Sequence, residues 1–219
     1  MNKVRVAILI SGRGSNMAAL IEAAEAADYP AEIALVLSDR AHADGLRTAQ
    51  AAGIPTAVAP YRGPGERDAF EAEIDRHLHD GGVALICLAG FMRVLSAHFV
   101  EHWHNRILNI HPSLLPAFPG LDTHARALAA KVRIHGCTVH FVRAAVDSGP
   151  IVLQGQVPVW PGDTPDALAT RVLEVEHQIY PLALELVASG NASVIGDAVD
   201  IDPGVPDYLT SPAECGHRH

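Results

Sequence analysis

Little in this chain can build a covalent or metal-held framework. Its three cysteines, Cys87, Cys137 and Cys215, stand isolated in 219 residues, which leaves no basis for a disulfide scaffold or a paired-cysteine zinc site. Cys87, inside Val83-Ala84-Leu85-Ile86-Cys87-Leu88-Ala89, is expected as a small core hydrophobe. Cys215-Gly216-His217-Arg218-His219 reads as a frayed terminus, with adventitious metal binding as the other reading. Thirteen histidines are present, yet no His-Glu-x-x-His or comparable spacing occurs, and no metal is expected. No apolar run approaches the roughly 18 residues of a membrane span. The start, Met1-Asn2-Lys3-Val4-Arg5, enters a strand-like segment directly instead of a signal peptide, so a cytoplasmic location is expected. Positive charge is also scarce: 16 Lys and Arg against 25 Asp and Glu give a formal net charge of -9, which argues against a general nucleic-acid binder. An anionic small substrate stays open, provided the site supplies backbone N–H groups and arginines. Internal repeats, low-complexity blocks and clear linkers are absent as well.

What is there is apolar and periodic. A 49% hydrophobic content supports a substantial core, and the length suits one large domain or two small ones. Val4 to Ile10 is a β-branched and aliphatic run of the kind buried on both faces, which implies a parallel sheet. Ser11-Gly12-Arg13-Gly14-Ser15-Asn16 interrupts it, and Met17 to Ala27 has strong helix propensity. Strands are expected over 33–37, 56–59, 83–89 and 106–110, and helices over 43–52, 66–79, 96–101 and 123–132. Phe70, Ile74 and Leu78, spaced by four, mark the buried stripe of the 66–79 helix. This alternation predicts a doubly wound, mostly parallel α/β fold. Strands at 138–142 and 151–157, with no helix between them, are expected as antiparallel neighbours near the C-terminus. Asp163-Thr164-Pro165 caps a long helix reaching about Ala188, and Pro181 inside it predicts a kink or a break. Residues 193–195 and 198–201 could form a weak hairpin.

Three stretches carry chemistry. Asn109-Ile110-His111 closes a strand, and alternation puts Asn109 and His111 on the same side of it. Pro112, Pro116, Pro119 and Gly120 then forbid regular structure over 111–121. An amide donor beside an imidazole at a rigid strand tip can stabilise and protonate an oxyanion, although both side chains could instead satisfy loop backbone groups. Asp147, in Val146-Asp147-Ser148-Gly149-Pro150, is the leading acid to hold an imidazolium or relay a proton; an ordinary Asx turn is the alternative. The glycine loop at 12–16 has three readings. As a dinucleotide fingerprint it lacks the third glycine, since Met17 stands there, although Asp39 is suitably spaced to bind a ribose. A phosphate monoester held by the N–H groups of Gly14, Ser15 and Asn16 at a helix start is the second, and a tight turn with no ligand the third. A Walker loop is excluded because no Gly-Lys-Ser/Thr follows, and Ser113 lies in no nucleophile elbow. His140 is either a core histidine or a cleft residue.

Together, Ile10 to Asn16, Leu88-Ala89-Gly90-Phe91-Met92-Arg93, Asn109 to Pro116 and Asp147-Ser148-Gly149-Pro150 resemble the phosphoribosylglycinamide formyltransferases, folate-dependent enzymes of purine synthesis, over about residues 4 to 190. The resemblance implies the formyltransferase version of a Rossmann-like fold: a single domain over 1–190, with a phosphate-binding half of about 1–100 and a folate and catalytic half of about 101–190, then a hairpin and loose tail over 191–219. It implies formyl transfer from 10-formyltetrahydrofolate to glycinamide ribonucleotide by Asn109, His111 and Asp147, with no metal, by a monomer or homodimer that binds neither nucleic acid nor membrane. Gly14, Ser15 and Asn16 would hold the phosphate, Glu176 the ribose hydroxyls, and Met92 would line the acceptor site. Arg93, Val94, Leu95 and the segment from Val142 to Asp147 would form the folate cleft, and Arg67 would meet the folate glutamate. Read from its own helix, Glu176 is expected on a solvated face. The Asn-Ile-His and Asp-x-Gly-Pro pieces are shared with methionyl-tRNA formyltransferase and formyltetrahydrofolate deformylase, so they specify the chemistry better than the acceptor. A tRNA-modifying relative would carry a further C-terminal domain and a more basic surface, and a deformylase an N-terminal regulatory domain. A deformylase, or a non-catalytic nucleotide-binding domain, is the alternative. Asp122 departs from the pattern, since some members have His there.

Overall fold

Strand β1, Val4–Ile10, is the sheet's axis because beyond Arg5 its side chains leave no polar face: Val6 to Ile10 are all fully buried. Burying each such aliphatic side chain is worth about 1.5–3 kcal/mol relative to exposure. The computed structural model describes residues 3–205. The chain divides into two compact units, Met1–Asn109 and Ile110–His219.

In the first unit, β2 (Ala31–Ser38) and β4 (Leu85–Leu88) flank β1 in parallel, β3 (Thr56–Val58) pairs with β2, and β5 (Ile107–His111) pairs with β4 through Leu88 and Asn109. Helices α1 (Ser15–Ala24), α2 (Asp44–Ala51), α3 (Arg67–Asp80) and α4 (Ala97–His102) connect them. A 3-10 turn, Pro64–Glu66, leads into α3, whose Phe70, Ile74 and Leu78 are buried as their spacing predicts. Helix α4 starts where the Ser96 hydroxyl accepts from the Phe99 N–H. Helix α1 starts two residues earlier than expected, at Ser15, because Gly14 takes a left-handed conformation (φ 73°) and turns the chain directly into it.

The second unit holds α5 (Thr123–Ala129), the antiparallel pair β6 (Ile134–Phe141) and β7 (Ile151–Pro158), and the 24-residue helix α6 (Pro165–Ala188), which packs on both strands. The strand order is β3-β2-β1-β4-β5-β6-β7, and a separate hairpin, β8 (Ala192–Ile195) with β9 (Ala198–Ile201), follows. Strand β6 begins four residues before the expected Thr138, because Ile134-His135-Gly136-Cys137 carries a glycine and a histidine that weaken any strand pattern. That glycine is required: a Cβ on Gly136 would lie 1.9 Å from the Gly155 carbonyl oxygen. Gly155 in turn admits α6, since its own Cβ would meet Val175 Cγ1 at 2.2 Å.

Thr164 is the cap of α6, its hydroxyl accepting from the Ala167 N–H, and Pro165 occupies the first turn. Asp163 turns elsewhere, to a bidentate pair with Arg171 at 2.9 Å, which holds its carboxyl down at about 2. Pro181 does not break α6, which runs continuously past it. The flanking Ile179, Tyr180, Ala183 and Leu184 are fully buried, and their packing outweighs the one backbone hydrogen bond that a proline forfeits. The tail with Cys215, His217 and His219 lies outside the described residues.

Candidate functional site

The strand tip at His111 ends in a closed ring of polar contacts. The imidazole Nε2 lies 3.0 Å from the Phe118 carbonyl oxygen, and Nδ1 lies 3.4 Å from Asp147 Oδ2, with both side chains at most a tenth exposed. A carbonyl only accepts, so Nε2 carries a proton. Nδ1 can then face the carboxylate in two ways: as a donor from an imidazolium, or as a lone pair toward a protonated carboxyl. Either arrangement would put a transferable proton at this pair, which is what a proton relay needs.

Asp147 is aimed rather than loosely placed. It adopts a left-handed backbone (φ 51°), and its Oδ2 accepts the Gly120 N–H at 2.8 Å. Gly149 is pressed so closely on the Phe141 carbonyl that a Cβ would sit 1.7 Å from that oxygen, while the Phe141 N–H donates to the Pro150 carbonyl. Asp147 Oδ1 faces a second histidine, His140, at 3.8 Å. The His140 Nδ1 donates to its neighbour's carbonyl at Phe141, 3.0 Å away, and burial holds its pKa below the ordinary histidine range despite that bond and the nearby carboxylate.

The proline-bounded loop is held by one hydroxyl. Thr138 Oγ1, on β6, donates to the Ser113 carbonyl (2.7 Å) and accepts from the Leu115 N–H (3.0 Å) and Gln154 Nε2 (2.8 Å). Ser113 closes the loop further by donating to the Ala117 carbonyl at 2.6 Å, and Arg126 donates to the Pro119 carbonyl at 2.5 Å. The Leu115–Pro116 peptide is cis. Beneath it, His124 and His135 meet edge to face at 5.2 Å, and both have lowered pKa values, chiefly from burial; that of His135 falls to about 4.

The first unit carries the glycine loop. A left-handed Gly14 opens α1, whose first N–H groups have no partners within the helix and so face an anion favourably. The loop is braced by Gly45, whose N–H donates to the Gly12 carbonyl. A Cβ on Gly45 would lie 2.5 Å from Ile10 Cδ1 and within 3.3 Å of the Gly12 and Arg13 carbonyls. The Ser11 hydroxyl accepts the Met92 N–H at 2.9 Å and so ties the loop to the 90–92 turn. Arg93 pairs with the fully buried Asp39 carboxylate at 2.7 Å and lies 4.5 Å from the Tyr61 ring centroid. Arg93 engages Oδ2 of a carboxylate with no solvent exposure, so Asp39 does not present itself as the ribose ligand that the dinucleotide reading of the loop needs.

A model of the family described as formyl transferase matches residues 4–184. The chain belongs to that family. Among relatives, phosphoribosylglycinamide formyltransferase of Escherichia coli (strain K12) is 41% identical over 199 residues, covering 91% of this chain and 94% of the relative. Trifunctional purine biosynthetic protein adenosine-3 of Gallus gallus is 53% identical over 197 residues, covering 90% of this chain. The chain spans only about a fifth of that relative's length, 20%. The crystal structure of glycinamide ribonucleotide transformylase 1 from Symbiobacterium toebii matches with a TM-score of 0.86 and 46% identity over 91% of this chain and 94% of that one.

In this member of the family, the structure brings His111 and Asp147 together and puts the half-buried Asn109 on the strand that carries His111. Glu176 is buried (6% exposed) near Cys137, whose thiol pKa is pushed up by burial first and by that carboxylate second; the solvated-face expectation fails because position 176 lies on the stripe of Val172, Val175 and Ile179. Met92 and Val94 are exposed, at 60% and 62%, and Leu95 is buried, so Leu95 can offer a ligand little beyond its backbone. Arg67 is exposed at the start of α3, and Val142 lies just past the end of β6. Sequence reasoning missed Gly45, Thr138 and Gln154. Only Gly45 carried a signal, a glycine inside a helical pattern.

Proposed function

We propose that this chain transfers the formyl group of 10-formyltetrahydrofolate to the amine of 5′-phosphoribosylglycinamide, a step of purine synthesis. The observation that carries the reading is the shielded His111–Asp147 pair, Nδ1 to Oδ2 at 3.4 Å, at the end of the strand that also bears Asn109. The names of the relatives support the choice of acceptor. The folate supplies an activated formyl carbon. Attack by the neutral amine puts negative charge on the formyl oxygen, and the donors assigned to it are the Asn109 amide and the His111 imidazolium, whose Nε2–H turns to the oxyanion from the Phe118 carbonyl it meets at 3.0 Å. Asp147 holds the imidazolium, takes up the proton that the attacking nitrogen sheds and passes it to N10 as the carbon–N10 bond breaks. The N–H groups of Gly14, Ser15 and Asn16 take the phosphate and Glu176 the ribose hydroxyls, with Met92 beside the acceptor. Backbone groups of Arg93, Val94 and Leu95 and of Val142 to Asp147 take the pterin, and Arg67 the glutamate carboxylate.

A formyl-transfer assay with and without glycinamide ribonucleotide tests this. Tetrahydrofolate should form only when the ribonucleotide is present, in equal amount with formylated product. Folate turnover without it would instead assign a deformylase, and tight binding of both ligands without product a non-catalytic domain.

A further inference from the structure

Helices α3 and α4 bring three side chains to one place that the proposed reaction does not use. Asp75 and His79 lie one turn apart on α3, and His102 is the last residue of α4. One ligand atom from each lies within 4.8 Å of the others, and among the described residues this is the one such group of three. His79 Nδ1 is 3.3 Å from Asp75 Oδ2, and His102 Nε2 is 3.6 Å from Asp75 Oδ1. These separations are long for hydrogen bonds. The two distances run to different oxygens of one carboxylate; with metal–nitrogen and metal–oxygen bonds of about 2.0–2.2 Å, tetrahedral ligands sit roughly 3.3–3.5 Å apart, so an ion needs only small side-chain rotations to draw the three groups in.

The surroundings also suit a metal. The Trp103 indole N–H donates to Asp75 Oδ1 at 2.8 Å and fixes the carboxylate, as outer partners of metal ligands do. Arg106 lies over the Trp103 ring (4.4 Å) and donates to the His102 carbonyl at 2.6 Å, which steadies the end of α4. Asp75 and His102 line a cavity of about 560 Å³, shared with Asp68, Glu71, Ser96 and His98, where water can complete the coordination. His79 Nδ1 donates to the Asp75 carbonyl at 2.8 Å in the metal-free chain, so a metal displaces that hydrogen bond, with the ring turning away from the carbonyl to offer a nitrogen to the ion.

The geometry points to a divalent transition-metal site formed by Asp75, His79 and His102, which clamps α3 to α4. Two imidazoles and one carboxylate select the zinc, nickel and copper group over magnesium or calcium. A ligand that binds only the folded chain raises its melting temperature, so metal and stability are linked.

Calorimetric titration of the full chain with Zn²⁺ at neutral pH, with melting temperature read alongside, tests the site. One equivalent should bind and raise the melting temperature. H79A and H102A, both at half-exposed positions, should weaken it at least tenfold, and D75N similarly. W103F, which removes only the outer partner, should cost about 10–100-fold. H217A with H219A should leave the equivalent intact. No binding to the folded wild-type chain, binding retained by the H79A/H102A double variant, or binding lost with the tail variant would each overturn the proposal. If H79A or H102A fails to fold, the tetrahedral Co²⁺ spectrum of the wild-type chain decides. A thiolate charge-transfer band would place the ion on a cysteine and overturn the proposal, and a spectrum of nitrogen and oxygen ligands alone that survives H217A with H219A would uphold it.

Discussion

The Nδ1 atom of His111 and Oδ2 of Asp147 face each other at 3.4 Å in a nearly closed setting, and the opposite ring nitrogen is committed to the Phe118 carbonyl. Asp147 is therefore placed to hold the imidazole and, in the proposed reaction, its proton. Asp147→Asn removes the group that holds it. We expect turnover to fall about 10²–10⁴-fold with a modest change in folate KM. Asn109→Ala and His111→Ala should each lower kcat about 10²–10³-fold. Steady-state kinetics across pH checks this, and an Asp147→Asn profile that superposes on wild type would rule out the relay.

Gly45 braces the glycine loop, to which the proposed function assigns the substrate phosphate. Gly45→Ala forces a methyl group against Ile10 and the carbonyls of Gly12 and Arg13. The KM for the phosphorylated substrate should rise by more than kcat falls, and the KM for folate should barely move. Equal effects on both substrates would mean that the damage is to the fold as a whole.

Thr138 has no solvent access, and its hydroxyl serves Ser113, Leu115 and Gln154 at once. Thr138→Val keeps the shape and leaves those groups without their partner, at a cost of about 1–3 kcal/mol. Urea unfolding measures this directly. A midpoint unchanged from wild type would show that the loop is secured by other contacts.

His135 gives the chain an acid-side weakness. Its folded pKa is lowered from 6.5 to about 4, by burial first and by the neighbouring His124 second. Between those values the unfolded chain takes up a proton that the folded chain refuses, so the contribution is complete above pH 6.5 and is lost as pH falls toward 4. A shift of that size corresponds to about 3 kcal/mol. His124, lowered in the same direction, adds to the effect. His135→Asn should flatten the dependence of unfolding free energy on pH across this window, and a slope equal to that of wild type would remove His135 as its source.

Local order was legible wherever a short-range rule acts alone. The buried run at 4–10, the four-residue spacing of Phe70, Ile74 and Leu78, and the Thr164-Pro165 start of α6 all stand as read. The readings went astray where packing overrode the local signal. Strand β6 starts early because two facing backbones need Gly136, Pro181 is carried by buried neighbours, and Glu176 is drawn into the interior by the stripe on which it sits.

By itself the sequence determined the α/β alternation, the strand that carries Asn109 and His111, and the glycine loop that opens a helix. These follow from periodicity, propensity and backbone sterics acting within a few residues. Tertiary structure alone decided that Asp147 meets His111 and has His140 behind it. It also decided that Asp39 answers Arg93 rather than a ribose, and that Asp75, His79 and His102 converge. Each of these pairings joins residues separated by a turn, a strand or a whole helix. Their distances depend on how elements pack, and one-dimensional spacing carries no measure of that.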